Sequence, residues 1–373
     1  MRWLIPALLA TAFGCTPASN PANEISRNDS LKTELDSFLK EFFPDNEPGG
    51  AVIAMAGDSV VFSGAYGLSD ITTGERVTTK TLFNLGSVSK TFVANGILML
   101  RDEGRLNLND NLLTYFPEFR NPAIGKKVTI SHLLTHTSGL PDNRNPYQDS
   151  VYYLTAKDAE NWAPILKNER LNFEPGSAFE YSNPAFNALA LIIEQRSGIK
   201  WQTFITDRIL RPSGMTASTI TDGPHPASGV AHGYIRSEGG WLEKDYMEEP
   251  TFAASGNGGV WSSVEELGKY ESAIRKAVFL RRATLDESRT VQQPSNWNSP
   301  QAARIGWSWF IGKSTTGRDT VGHTGSQGGF RANYQTIPAN EWLVVVLSTT
   351  PRPLEVPTQK LFQLLEQVQP VEH

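Results

Sequence analysis

Apolar residues recur at spacings of three and four along residues 31–43, at Leu31, Leu35, Phe38, Leu39 and Phe42. This spacing predicts an amphipathic helix that Pro44 closes. Two short runs of β-branched and small apolar residues follow, 51–56 and 60–66, joined as a hairpin through Gly57-Asp58. Residues 87–103 return to helical spacing, with Val88, Phe92, Val93, Ile97, Leu98 and Leu100 ahead of the C-capping Gly104. Long alternating runs are missing from 105 to 250. Helical patches stand there at 130–135 and 185–196, the second opened by Ser182-Asn183 with Pro184 in its first turn and stopped by Ser197-Gly198. Ser262-Ser263-Val264-Glu265 opens a further helix with a capping-box pattern. Strand-like runs then come at 305–311, 318–322, 329–337 and 342–347, separated by Gly, Pro and Asn. Residues 354–368 end the chain as a helix with Leu361, Leu364, Leu365 and Val368 on one side.

Two β-runs near the start and four near the end, flanked by terminal helices, predict an α+β fold, an α/β sandwich with one antiparallel sheet built from both chain ends. The expected sheet lobe comprises about 31–85 and 300–373, with a helical lobe of about 86–299 inserted into it.

Composition narrows the function. Against 39 Asp and Glu stand 34 Lys and Arg, a net charge of −5 without a long basic run, which argues against nucleic acid as a partner. The one cysteine, Cys15, excludes an intramolecular disulfide and a Cys-based zinc site. Its position carries more information. Arg2, the apolar stretch 3–13 broken only by Pro6 and Thr11, and Gly14 read together as a signal peptide over 1–14, too short to span a bilayer of ~30 Å. Ala12-Phe13-Gly14-Cys15 resembles a bacterial lipobox, which implies lipidation of Cys15 and an exported, periplasmic, membrane-anchored protein; the alternative is ordinary cleavage near Gly14. Residues 15–30 are polar and read as a flexible tether to a domain at 31–373, so the membrane is touched only through the lipid.

Three chemical patterns fail on their spacing. Gly312-Lys313-Ser314 imitates the end of a phosphate loop, but Trp307 stands where glycine is needed. His132 and His136 have metal-ligand spacing, but Leu133 replaces the glutamate of a zinc hydrolase and no third ligand is in view, so no metal and no cofactor are expected. A Gly-x-Ser-x-Gly elbow is missing.

Gly86-Ser87-Val88-Ser89-Lys90 is the sharp feature. Residues three apart share a helical face, so the Lys90 amine can reach the Ser87 hydroxyl, and a buried lysine of lowered pKa can take a serine's proton. The helix start adds N–H groups where an acyl oxyanion would develop. Two companions follow in order: Tyr181-Ser182-Asn183, and His323-Thr324-Gly325 ahead of the glycine-rich turn Ser326-Gln327-Gly328-Gly329. Together the three motifs resemble those of the serine β-lactamase and penicillin-binding protein superfamily, in particular its class C β-lactamase branch, over about 31–365. Phe83-Asn84-Leu85-Gly86, the stretch 132–140 and Ala254-Ser255-Gly256-Asn257-Gly258-Gly259 add to the resemblance.

The resemblance implies Ser87 as acylated nucleophile, Lys90 as its activating partner and Tyr181 as proton shuttle, with the choice of base between Lys90 and Tyr181 left open. It also implies that Asn183 holds Lys90 and the substrate amide, that the N–H groups of Ser87 and Ser326 form the oxyanion hole, and that Thr324 and Gly325 line the substrate. His323 stands where lysine is common in these enzymes. A histidine of ordinary pKa is mostly neutral at neutral pH, which weakens carboxylate recognition, and any role of its protonation would show between about pH 6 and 8. Arg331 is a second candidate carboxylate anchor or else a solvent-facing edge residue; 141–158 and His232-Gly233-Tyr234 are candidate cleft linings. The expectation is a serine hydrolase that cleaves an amide or ester in a small molecule or a short D-residue peptide. Its alternatives are a β-lactamase and a cell-wall peptide binder that acylates without turnover.

Overall fold

The computed structural model describes residues 21–142, 157–221, 226, 228–243 and 255–368, with side chains from residue 28 onward. The leader, Cys15 and most of the loop expected at 141–158 lie outside the described residues. Six strands form one antiparallel sheet: β1 (Gly50–Ala56), β2 (Ser59–Tyr66), β3 (Phe310–Lys313), β4 (Asp319–Gln327), β5 (Phe330–Ile337) and β6 (Trp342–Ser348). Their order, β3-β4-β5-β6-β1-β2, places both chain ends side by side at the β6–β1 pair, as the distribution of β-runs predicts. The longer helices are α1 (Pro21–Phe42), α2 (Ser89–Asp102), α3 (Asn183–Ser197), α4 (Val264–Arg275) and α5 (Glu355–Val368).

Side chains alternate across a strand, so each central strand serves two cores. Val52, Ala54, Val344 and Val346 meet Leu35 and Leu39 of α1 and Leu361 and Leu365 of α5 on one face. Ile53, Met55, Leu343, Val345 and Leu347 join the larger core with α2 and α4 on the other. A buried ion pair pins α4 to its neighbours: Arg289 donates two bonds to Glu271, at 2.8 and 2.7 Å, and the Tyr334 hydroxyl of β5 donates to the same carboxylate. Burial works to raise the Glu271 carboxyl, but the Arg289 guanidinium outweighs it and holds the group below the usual carboxylate range.

The inserted lobe is helical around α2, whose residues 89–100 are all buried. It also holds a small sheet of Phe83–Asn84, Val260–Ser262 and Thr219–Ile220, and a hairpin of Tyr234–Ser237 with Gly240–Glu243. Three boundaries differ from the sequence pattern. Helix α1 begins at Pro21, a residue suited to a first turn, and so occupies the part of the expected tether from 21 to 30. The run 305–311 is not a continuous strand: Ser308 adopts φ +68°, Ile305 bridges Phe310, and only Phe310–Lys313 joins the sheet. Strand β4 runs five residues beyond 322, to Gln327, because β5 continues to pair with it. Among the described residues, no helix is long and apolar enough to cross a membrane.

Candidate active site

Ser87 sits in a single 3-10 turn, Gly86–Val88, that leads into α2. The turn is shaped from both sides. Leu85 N donates to Val260 O at 2.9 Å, and Gly86 N donates to Asn84 Oδ1 at 2.8 Å. Gly86 takes φ +50°, a conformation that favours glycine, and a Cβ there would lie 2.7 Å from Ser326 N. On the facing strand, a Cβ at Gly325 would lie 1.9 Å from Leu85 O. Two glycines therefore let β4 press against the turn, bringing the Ser326 N–H beside the backbone of Gly86 and Ser87. The N–H groups of Ser87 and Ser326, which the resemblance implies as an oxyanion hole, thus come from two elements packed against each other.

Lys90 is fully buried one turn along α2. Its Nζ donates to Ser87 Oγ at 3.0 Å and to Asn257 O at 2.7 Å. The Tyr181 ring centroid is 5.2 Å from that Nζ, so the first two motifs meet as the resemblance implies. Tyr181 is 38% exposed and stacks on His136 at 4.3 Å between ring centroids. His136 is completely buried, and its Nδ1 accepts from Ser182 N at 3.0 Å, tying the stretch 132–140 to the second motif. Ser182 caps α3 by accepting from Ala185 N at 3.3 Å, with Asn183 half-buried as the first helical residue. Burial, reinforced by the neighbouring Lys90, holds His136 well below the ordinary histidine range.

His323 is 2% exposed on β4. Its Nδ1 lies 2.6 Å from Thr324 O, and since a carbonyl only accepts, the proton is assigned to Nδ1 and the lone pair to Nε2. Burial, reinforced by Lys90, pushes this histidine down to about 3. It is neutral at every ordinary working pH. Enclosure of the ring that replaces lysine, with Lys90 beside it, moves its titration below the expected window of pH 6 to 8.

A cavity of about 610 Å³ opens over Ser87, Tyr181 and His323. It runs along the outer edge of β4, whose residues 323–327 extend past the pairing with β3 at 319–322, leaving backbone able to bind an extended chain. Thr324 and Gly325 line the cavity, as does Arg331. Arg331 is not an edge residue, since β5 lies between β4 and β6; its Nη1 donates to Phe330 O at 3.0 Å. The cavity also includes Arg352, a cation the motifs do not contain, whose Nη2 donates to Glu47 at 2.8 Å. His232-Gly233-Tyr234 packs behind the turn at 328–329 as a core turn: a Cβ at Gly329 would lie 2.0 Å from Tyr234 N, and His232 pairs with Glu243 at 2.7 Å.

Sequence reasoning missed the Asn257 carbonyl, a backbone group that no residue-type pattern encodes. It also gives His136 no role at the site, placing it only as a rejected metal ligand and within the stretch 132–140 that adds to the resemblance, whereas the structure stacks it on Tyr181.

The sequence model of the family described as Beta-lactamase matches residues 36–369. "Penicillin-binding protein 4*" of Bacillus subtilis is 30% identical over 315 residues, 80% of this chain and 67% of that protein. "Protein flp" of Staphylococcus aureus (strain MRSA252) is 30% identical over 210 residues, 56% of this chain, which spans only 42% of that protein's length. Among solved structures, the octameric penicillin-binding protein homologue from Pyrococcus abyssi aligns with a TM-score of 0.75 at 24% identity, covering 91% of this chain and 77% of its own. D-amino acid amidase from Ochrobactrum anthropi SV3, complexed with D-phenylalanine, aligns with a TM-score of 0.75 at 18% identity, covering 92% and 100%. The two structures share the fold; the sequence match, spanning most of the chain, goes further: this protein belongs to the beta-lactamase family of serine hydrolases.

Proposed function

We propose that the protein cleaves an amide or ester through an acyl-enzyme on Ser87, acting on small acyl donors and short peptides with D-residues. The observation that carries this reading is the 3.0 Å contact between Lys90 Nζ and Ser87 Oγ at the floor of an open cavity. The Ser87 hydroxyl gives its proton to the Lys90–Tyr181 pair while Oγ bonds to the acyl carbon. The negative charge that develops on the acyl oxygen falls between the Ser87 and Ser326 N–H groups. Collapse expels the amine or alcohol with a proton, and water then releases the acid and restores the hydroxyl.

Neutral His323 gives a substrate carboxylate no charge to meet beside the nucleophile, which favours amides and esters over ligands anchored by an acid group at that point. The relation in fold to a D-amino acid amidase is compatible with this preference. The Tyr181-Ser182-Asn183 motif supports a place near the class C branch, with Asn183 toward Lys90 and the substrate amide. The leader and Cys15 support export and lipid anchorage.

A kinetic panel of D-phenylalanine amide, a dipeptide ending in D-alanine, p-nitrophenyl acetate and nitrocefin tests the reading. Turnover of the amide or ester that disappears in Ser87→Ala is expected. Preferential turnover of nitrocefin would make the chain a β-lactamase instead, and a stable penicillin adduct without turnover would make it a binder.

A further inference from the structure

Asp158 takes no part in the chemistry above, yet it is only 6% exposed. It begins the short helix Asp158–Trp162, which packs on α3. Three donors converge on its carboxylate: Asn187 Nδ2 at 2.7 Å and Gly256 N at 2.8 Å on Oδ1, and Trp201 Nε1 at 2.8 Å on Oδ2. A buried carboxylate is a costly way to fill space, because its desolvation is only partly offset by such bonds. Burial accordingly pushes Asp158 up to about 7, against the pull of all three donors.

What the carboxylate holds explains its placement. Gly256 immediately precedes Asn257, whose carbonyl accepts from Lys90 Nζ at 2.7 Å. Asn187 in turn accepts at Oδ1 from Asn257 Nδ2 at 3.5 Å. One oxygen of Asp158 thus gathers two of the supports of the residue that meets the lysine; a third is Ser255 Oγ, which donates to Asn257 Oδ1 at 2.5 Å. Packing locates this turn, since a Cβ at Gly256 would lie 2.6 Å from Ala190 Cβ and from Phe186 O. Packing alone does not aim a peptide carbonyl: the Gly258 N–H, in the same peptide unit as the Asn257 carbonyl, donates to Ser255 O at 3.0 Å, and the Asp158 bond to Gly256 N anchors the turn that carries this unit.

We propose that Asp158 is a positioning residue which, through the Gly256 N–H and Asn187, aims the Asn257 carbonyl at Lys90 and so aligns the lysine on Ser87. The connection runs from Asp158 Oδ1 to Gly256 N, along Gly256 and Asn257 to Asn257 O, and from there to Lys90 Nζ and Ser87 Oγ. It rests on the reading that Ser87 is acylated with the help of Lys90.

The test is the pre-steady-state burst of p-nitrophenol from p-nitrophenyl acetate, with Tm measured on the same samples. Asp158→Ala is expected to slow the burst at least about tenfold and up to about a hundredfold, the scale of a remote misalignment, at unchanged apparent ester affinity. Asn187→Ala should slow it in the same direction, and carries the test if Asp158→Ala does not fold. Trp201→Phe removes a donor from the other oxygen only. It should lower Tm while leaving the burst within about twofold of wild type, which a purely structural role of the carboxylate would not predict. A wild-type burst in Asp158→Ala or Asn187→Ala, or an equal slowing in Trp201→Phe, overturns the proposal. A burst that persists in Ser87→Ala overturns the reading of Ser87 instead.

Discussion

Gly325→Ala is a small change that reaches the proposed oxyanion hole without touching a reacting group. Gly325 is not among the residues with positive φ, so alanine meets no backbone objection there, only a steric one. Its Cβ would lie 1.9 Å from Leu85 O, against an ordinary contact of about 3.4 Å or more. Strand β4 and the Leu85–Gly86 backbone must therefore separate by about 1.5 Å, the difference between those two figures. That separation carries away the Ser326 N–H, which now stands 2.7 Å from where a Gly86 Cβ would be. A donor displaced so far is lost to the acyl oxyanion, and loss of one such donor costs about 10²–10³-fold in rate, or about 2.7–4 kcal/mol. Single-turnover acylation by p-nitrophenyl acetate, with Tm beside it, measures this. Gly239→Ala is the control, since nothing lies within 4 Å of a Cβ at that hairpin position. A Gly325→Ala protein that acylates within about threefold of wild type would refute the proposed hole.

Two predictions concern stability. His132, held down to about 4 by burial, His323 at about 3 and the enclosed His136 all have folded pKa values below their unfolded one. The unfolded chain thus binds more protons as pH falls below about 6.5, and each such group withdraws about 1.4 kcal/mol per pH unit until its folded pKa is crossed. Denaturant midpoints should drop steadily from pH 6.5 to 4, and His323→Gln should flatten the slope; an unchanged slope counts against the enclosure of that ring. Glu271→Gln leaves the buried Arg289 guanidinium without its counter-charge and should cost about 3–5 kcal/mol in urea unfolding while sparing acylation. A loss below about 1 kcal/mol would mean that water reaches the pair.

The sheet was legible because its strands declare themselves. Residues 51–56 and 342–347 are apolar on both faces, as strands covered on both sides must be, and their position at opposite ends of the chain implied one sheet built from both ends; that β1 and β6 are the strands that join it comes from the structure. The far half of β4 was not legible. His323, Thr324, Gly325, Ser326 and Gln327 alternate buried and exposed in the structure, but with polar and small side chains that give no apolar signal. The start of α1 was hidden for a related reason: residues 21–30 are polar and show no period.

At the site, Ser87, Lys90 and Tyr181 were legible because the Ser-x-x-Lys spacing follows from a helix and because their residue types match the motifs that carry the resemblance. Asp158 and Arg352 escaped notice because an acid or a cation acquires its meaning only from what folds around it. Nothing near Asp158 in the chain sets it apart from the other acids.

The most direct measurement of the central claim is peptide mapping by mass spectrometry after brief incubation with p-nitrophenyl acetate and rapid acid quenching. The account predicts an acetyl group on the peptide containing Ser87, absent from Ser87→Ala, which should also lose turnover. An adduct on another residue, or full turnover by Ser87→Ala, would contradict it.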